Sequence, residues 1–223
     1  MTNYRLKDET ITINHIDYLI RSLLDNQQFD DDKMAAAALG ISSATWSLFG
    51  IVWPAAKILA TLVQAINLTG KRVLEIGCGI ALSSIVLHRQ GVNITASDYH
   101  PLTQEFLDRN IRRNGLTPIK YLTGNWESTN PLMGKFDFII GSDILYQPAH
   151  VIDVSDFIDR HSSNDVKVII VDPGRENRAK FTHKMQGLGY DHHFESFDQI
   201  DEDKKRCKGR ILHYHRLATA SEQ

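Results

Sequence analysis

The chain has 223 residues, of which 42% are apolar and 23% charged, a composition that excludes a disordered tail and a low-complexity polymer. The length favours one full-sized domain with an appendage over two independent units. A formal net charge of −2 leaves no global basic field, and with no local basic patch evident, tight nucleic-acid binding is not expected.

The start, Met1 to Thr10, has no basic region followed by an apolar stretch, so no signal peptide is expected. Asn14 reads as the cap of a helix whose Ile16, Leu19, Ile20, Leu23 and Leu24 fall at i, i+3, i+4, i+7 and i+8. Asp30, Asp31, Asp32 and Lys33 then read as a solvated turn. From Met34 to Ala56 there is no charged residue, a length that would cross a bilayer. The run is mostly Ala, Ser, Thr and Gly and is interrupted by Gly40, Gly50 and Pro54, so a buried strand-and-turn region is expected and no membrane span. Pro54 takes the first position of a second helix with Ile58, Leu59, Leu62, Val63 and Ile66 as its apolar stripe. No repeat or linker splits the chain, and residues 1–45 read as an amino-terminal extension ahead of a domain over 46–223.

Beyond residue 71 the apolar period switches repeatedly. Arg72 to Ile76 is a short strand ending in glycines, Leu82 to Gln90 is helical and closes at Gly91, and Val92 to Asp98 alternates like a strand. Pro101 opens a helix that closes at Asn114-Gly115; Ile119 to Thr123 and Phe136 to Ser142 are strands, as is Val166 to Val171. A helix around Asn177 to Gly187 and two strands, Tyr190 to Phe197 and Arg210 to Leu217, complete the series. This alternation predicts an α/β, Rossmann-like, doubly wound seven-stranded sheet, mostly parallel with an antiparallel C-terminal hairpin, plus an N-terminal helical extension. In such a sheet, ligands bind beyond the carboxyl ends of the strands.

The first of these strands ends in Glu75-Ile76-Gly77-Cys78-Gly79-Ile80-Ala81, and the next ends in Asp98, 19 residues after Gly79. Glycines at 77 and 79 let a ligand lie on bare backbone, and a carboxylate at the end of the following strand accepts ribose hydroxyls. Leu82 stands where a dinucleotide fingerprint needs glycine, which weakens that reading, and no Gly-Lys-Ser/Thr follows as a P-loop requires. The class left is adenosine joined to methionine, whose cationic end Glu75 favours and a pyrophosphate would not. A glycine turn that holds no ligand is the alternative.

The motifs resemble those of the class I, seven-β-strand, S-adenosylmethionine-dependent methyltransferases from about residue 46 to the end. Within that superfamily they look closest to the protein-lysine methyltransferases that include the electron-transfer flavoprotein β-subunit enzyme and the chaperone-directed enzymes. Phe49-Gly50-Ile51-Val52-Trp53-Pro54-Ala55-Ala56 resembles the segment whose tryptophan borders the cofactor, and Gly124-Asn125-Trp126 the exit where a tryptophan lies against adenine. Gly141-Ser142-Asp143-Ile144-Leu145-Tyr146 resembles the D-x-x-Y motif, and Asp172-Pro173-Gly174-Arg175 a segment of the flavoprotein-directed branch. Ala81 departs from the pattern where many members carry a third glycine; a slightly tighter turn with retained binding is expected. The resemblance implies S-adenosyl-L-methionine as cofactor and S-adenosyl-L-homocysteine as product, held by Trp53, Glu75, Gly77, Cys78, Gly79, Asp98, Tyr99, Asn125, Trp126 and Ser142. Asp143 and Tyr146 would attract and orient an acceptor amine at the methyl-transfer point. Each match has a bland alternative: Trp53 as a core aromatic, Trp126 as a loop cover, Asp143 as a helix cap.

The expected reaction is N-methylation of a lysine on a protein substrate. Superfamily members that methylate planar amide or adenine nitrogens typically resemble N/D-P-P-Y/F after the fourth strand, so by that resemblance Ser-Asp-Ile-Leu at residues 142–145 disfavours those acceptors. A small-molecule N-methyltransferase is the runner-up, a non-catalytic methyltransferase-like subunit is the rival from another class, and a nicotinamide-dependent oxidoreductase rests on the glycine turn alone. The mixed-charge run from Asp198 to Arg210 reads as a hairpin loop on the ligand side, offering Lys204, Lys205, Arg206 and Lys208 to a macromolecular substrate. Cys78 and Cys207 lie far apart with no CxxC spacing, so a cytoplasmic setting is the default. His213 and His215 would share a strand face, but no third ligand is spaced to join them, so no metal is expected. The oligomeric state is not written in the sequence.

Overall fold

The computed structural model describes residues 3–200 and 206–217. The amino terminus is a β-hairpin and not the expected helix: β1 (Leu6–Ile13) and β2 (Ile16–Leu23) pair antiparallel with Ile13 opposite Ile16. Asn14 (φ 43°) and His15 (φ 67°) both hold left-handed backbone, the two-residue turn that matches strand twist, and Asn tolerates it well. Tyr18, Ile20 and Ser22 alternate inward while Leu19 and Leu24 stay exposed, so period two wins over the helical spacing that the same apolar residues also satisfy.

The Met34–Ala56 region also departs from expectation, forming short helical turns where a strand was predicted. The Asp31 carboxylate accepts the Ala36 and Ala37 amides, a 3-10 turn covers Ala37–Leu39, and left-handed Gly40 stops it. Helix α1 (Ser43–Trp46) and a second 3-10 turn (Ser47–Gly50) follow, then extended chain leads to α2 (Pro54–Gln64) with Pro54 in its first turn. Ser43–Gln64 has the length and a mean hydropathy of 1.5 that a membrane span needs, yet Ile51 and Trp53 are extended and break it into separate elements.

The remaining elements are β3 (Arg72–Ile76), α3 (Leu82–Arg89), β4 (Asn93–Asp98), α4 (Thr103–Arg113), β5 (Lys120–Thr123) and β6 (Phe136–Ser142). Then come α5 (His150–His161), β7 (Ser162–Asp172), α6 (Arg178–Gly187), β8 (Asp191–Ile200) and β9 (Arg206–Arg216). The sheet order is β5-β4-β3-β6-β7-β9-β8, seven strands, with β9 antiparallel to both neighbours and the other pairings parallel. The architecture is therefore the doubly wound α/β sheet with an antiparallel C-terminal hairpin that the strand pattern predicts. Chain order reverses at β3, so β4 and β6 flank it, and the carboxyl ends of these three strands define the switch-point crevice.

One face of the sheet packs against α2, α3 and α4, the other against α5 and α6. The β1–β2 hairpin joins the first of these clusters: Ile11, Ile13, Tyr18, Ile20 and Leu23 are buried with Leu59, Val63 and Phe106. Its β2 edge is closed by α4. The Asn110 carboxamide accepts the Arg21 N–H at 2.8 Å and donates to the Arg21 carbonyl at 3.1 Å, and Asn114 does the same for Leu19 at 3.0 and 2.9 Å. Two asparagines one helical turn apart thus stand in for a partner strand and satisfy an edge that would otherwise be open.

Candidate active site

A cleft of about 280 Å³ opens at the switch point. Its floor is the turn after β3. Gly77 (φ +58°) and Gly79 (φ +50°) are left-handed, and a Cβ would lie 2.8 Å from the Ile144 side chain at the first and 2.9 Å from the Phe49 carbonyl oxygen at the second. Only glycine fits either position. Cys78 between them is buried, its N–H bonded to the Ser97 carbonyl at 3.0 Å, and burial pushes its thiol up, so it is a packed turn residue and not a nucleophile.

Asp98 closes the end of β4. Its carboxylate accepts the Gly79 N–H and the His100 N–H, both at 2.9 Å, which ties the two strand ends into one rigid unit. Burial raises its pKa against the pull of those backbone bonds. Tyr99 lines the cleft beside it, and His100 stacks on Phe49 at 3.8 Å between centroids and 11° between planes. Burial pushes His100 down to about 3, so its ring is neutral, and its Nε2 is buried with no hydrogen-bond partner among the described residues.

The opposite wall comes from β5, β6 and β7. Trp126 reaches the glycine turn, with its Cζ2 3.1 Å from where a Gly77 Cβ would be. His150 braces this wall by donating its Nδ1–H to the Ile144 carbonyl (2.7 Å) while its ring meets Trp126 and Tyr146 edge-on. Burial pushes the Tyr146 phenol up, so it stays protonated at neutral pH. Asp143 has φ +53°, its N–H held by the Val171 carbonyl at 2.9 Å. Arg175 forks onto its carboxylate with Nε and an Nη at 2.7 and 2.8 Å, and the Asp143 side chain is 12% exposed against 43% for Arg175. Buried Asp172 accepts the Gly174 and Arg175 amides, which positions the Asp-Pro-Gly-Arg turn.

Of the predicted site residues, Trp53, Gly77, Cys78, Gly79, Asp98, Tyr99, Trp126, Ser142, Asp143 and Tyr146 line this one cleft. Glu75 and Asn125 do not. The Glu75 carboxylate lies behind the glycine turn and accepts the Ser84 N–H (2.8 Å) and hydroxyl (2.5 Å) of α3, while Asn125 accepts the Glu127 N–H in its own loop. Burial pushes Glu75 up to about 7, opposed by the Ser84 bonds. The sequence reading gave no site role to Phe49, His100 or Arg175; Phe49 and Arg175 lay inside quoted motifs, the one available signal. Lys204 and Lys205 of the hairpin loop lie outside the described residues, and Arg206 is paired with Asp198.

The cleft suits adenosyl-methionine chemistry. A bare glycine turn, a carboxylate at the ribose position and aromatic walls are present, and among the described lining residues the one cation, Arg175, is taken by Asp143, so no group awaits a phosphate.

A family model described as lysine methyltransferase matches residues 36–187. A histone-arginine methyltransferase of Xenopus laevis is 28% identical over 132 residues, covering 56% of this chain and 56% of that protein. The electron transfer flavoprotein beta subunit lysine methyltransferase of Rattus norvegicus is 31% identical over 142 residues, covering 60% and 52% respectively. The chain thus spans about half the length of these curated relatives. A crystal structure of a SAM-dependent methyltransferase from Methanosarcina mazei has a TM-score of 0.60 at 12% identity, covering 75% of this chain and 99% of that one, a likeness of fold.

Proposed function

The chain belongs to the lysine methyltransferase family, and from that premise we propose that it transfers the methyl group of S-adenosylmethionine to the side-chain nitrogen of a lysine on a cytoplasmic protein. The observation that carries this reading is the placement of Asp143 and Tyr146 on the wall facing the glycine turn and Asp98 in a single cleft. Cys78 and Cys207 lie far apart in the chain with no CxxC spacing, which supports a reducing compartment.

Bound in the cleft, the cofactor supplies a methyl group on a positively charged sulfur, a good leaving group. The rest falls to the chain. Gly77, Gly79 and Asp98 would hold the cofactor's adenosyl end, with Trp126 against the adenine and Trp53 bordering the cofactor. A lysine arrives as an ammonium, and Asp143 is the acidic side chain of the cleft wall that faces it. Arg175 already occupies that carboxylate, so the incoming ammonium exchanges with the guanidinium, the more exposed partner of the pair. The lysine then releases a proton to solvent, since only the neutral amine carries the lone pair that forms the new N–C bond as the S–C bond breaks. Tyr146, kept protonated by burial, walls and orients the amine and does not serve as base.

The test is incubation of the purified protein with methyl-labelled S-adenosylmethionine and a lysate lacking it, followed by separation of protein, nucleic acid and small molecules and hydrolysis of labelled protein to amino acids. Label on lysine that drops roughly 100-fold or more in Asp143→Ala, with cofactor affinity retained, is expected. Label on arginine or histidine would replace the acceptor named here. Label in the small-molecule fraction, or cofactor binding without transfer, would overturn the reading.

A further inference from the structure

The C-terminal hairpin brings together donors that lie far apart in sequence. Along the chain His213 has a neighbour in His215, but in the sheet its partner is His193, directly opposite on β8. Their rings lie parallel, 2° between planes and 4.5 Å between centroids. Glu195, two residues along the same strand face, brings a carboxylate oxygen to 3.4 Å from His213 Nε2. The coordinating atoms of the three residues all lie within 4.8 Å of one another. His213 Nε2 is buried and has no hydrogen-bond partner among the described residues, while His193 and Glu195 are exposed.

We propose that His193, Glu195 and His213 form a three-ligand site for a borderline divalent transition metal, zinc above all, clipping the edge strand β8 to β9. Two imidazoles and one carboxylate suit zinc or copper and are a poor set for calcium or magnesium, which take oxygen donors. Ligands about 2.0–2.1 Å from zinc in tetrahedral array stand roughly 3.4 Å apart, and the His213–Glu195 separation is already 3.4 Å. The two separations that involve His193 lie within 4.8 Å, and rotation of the exposed His193 ring would bring them in. Three protein ligands leave one position for water or for a donor from elsewhere. The location gives the clip a purpose: β8 is the sheet's edge, its face at residues 191 to 196 is exposed, and at its far end the hairpin passes the β7 terminus, where Asp172 faces Arg210. Metal binding would lock the register of the edge strand β8 against β9. The proposal does not depend on the methyltransferase reading.

The test is titration of the chelator-treated 223-residue chain with Zn²⁺ by calorimetry and with Co²⁺ by visible absorption. One equivalent should bind, Co²⁺ should give the absorption of a four-coordinate N/O site, and the melting temperature should rise with Zn²⁺ concentration. His193→Ala and Glu195→Gln, both exposed, should abolish the Co²⁺ spectrum and the Zn²⁺-dependent shift while leaving the metal-free melting curve unchanged. His192→Ala, whose ring lies on the other face stacked over Tyr214, should change neither. Absence of a bound equivalent, or an equivalent that persists in His193→Ala and Glu195→Gln, would overturn the site; the second result would assign the binding to other histidines.

Discussion

Ala81 sits at the start of α3 with φ 60° and ψ 37°, a left-handed conformation that costs a non-glycine residue roughly 1–2 kcal/mol. It is fully buried and holds the same turn as Gly77 and Gly79, so the turn keeps glycine geometry at a third position with only a methyl group added. Ala81→Gly trades that strain against the entropic cost of glycine, about 0.5–1 kcal/mol, and the lost burial of one methyl, about 0.8 kcal/mol, so stability should change by less than about 1 kcal/mol in denaturant melts, with cofactor affinity unchanged. Glu75 makes a second prediction at this scale. Burial raises it to about 7, so between the ordinary carboxylate value near 4.5 and about 7 the folded state holds a proton that the unfolded chain has released. Stability then falls as pH rises through that window. His100, pushed down to about 3 by burial, works in the opposite direction below its ordinary value, and the wild-type curve sums these two with the other shifted groups, Asp98 and Asp172 raised and His150, His161 and His213 lowered. Glu75→Gln removes only the first contribution: denaturant melts from pH 5 to 7.5 should show the variant gaining on the wild type as pH rises. A constant difference across that range would mean that Glu75 is ionised throughout.

The amino-terminal hairpin shows where a chain can be read in two ways. Ile16 and Ile20 satisfy both a helical stripe and, with Tyr18, a strand face, and the decision lies in the Asn14-His15 turn and in what α4 offers β2. The two assignments differ at Leu19, core in a helix and exposed in the strand, and at Tyr18, which is fully buried. Tyr18→Ala should cost about 3–5 kcal/mol and Leu19→Ala under about 0.5, measured by chemical denaturation; the reverse order would restore the helix. The central strands β3, β6 and β7 were legible because buried strands are short, nearly continuous apolar runs between turn residues. Helix α5 was not assigned: Val151, Ile152 and Val154 read as strand formers, and its buried stripe of His150, Val154, Phe157, Ile158 and His161 is punctuated by polar residues. The site divides in the same way. Gly77, Gly79, Asp98, Asp143 and Tyr146 were visible as residue types at strand ends, whereas the roles of Phe49, His100 and Arg175 exist only through partners distant in sequence, His100 on Phe49 and Arg175 on Asp143. Glu75 was visible as a charge, but its direction, toward Ser84 and away from the cleft, depends on how α3 leaves the turn.

At the scale of the whole molecule, the cleft has two kinds of wall with different origins. The strand ends supply Asp98, Trp126 and Asp143, while Ile41, Thr45, Leu48 and Phe49 come from the segment linking the hairpin to α2. That segment is anchored at both ends: Trp46 packs among Tyr4, Phe29 and Phe49, and the Trp53 indole donates to the Leu48 carbonyl at 2.9 Å. The hairpin, the linking segment and the α2–α4 face of the sheet share one apolar cluster. Deleting the chain up to Leu24 would strip Ile11, Ile13, Tyr18, Ile20 and Leu23 from it, leave the Asn110 and Asn114 carboxamides without their backbone partners, and free the Tyr4 side of Trp46. Five buried side chains at about 2 kcal/mol each amount to roughly 10 kcal/mol, comparable to the whole stability of a domain of this kind. The truncated chain should therefore lose its near-ultraviolet circular dichroism, bind a hydrophobic dye and show no cofactor affinity at 25 °C, and the intact chain should lose fold and cofactor site in a single transition. A truncated chain with a native near-ultraviolet spectrum would instead make the hairpin a removable attachment. The cleft would then owe its shape to the sheet alone, because Phe49 and His100 would have to hold their stack without the Tyr4 and Trp46 packing behind them.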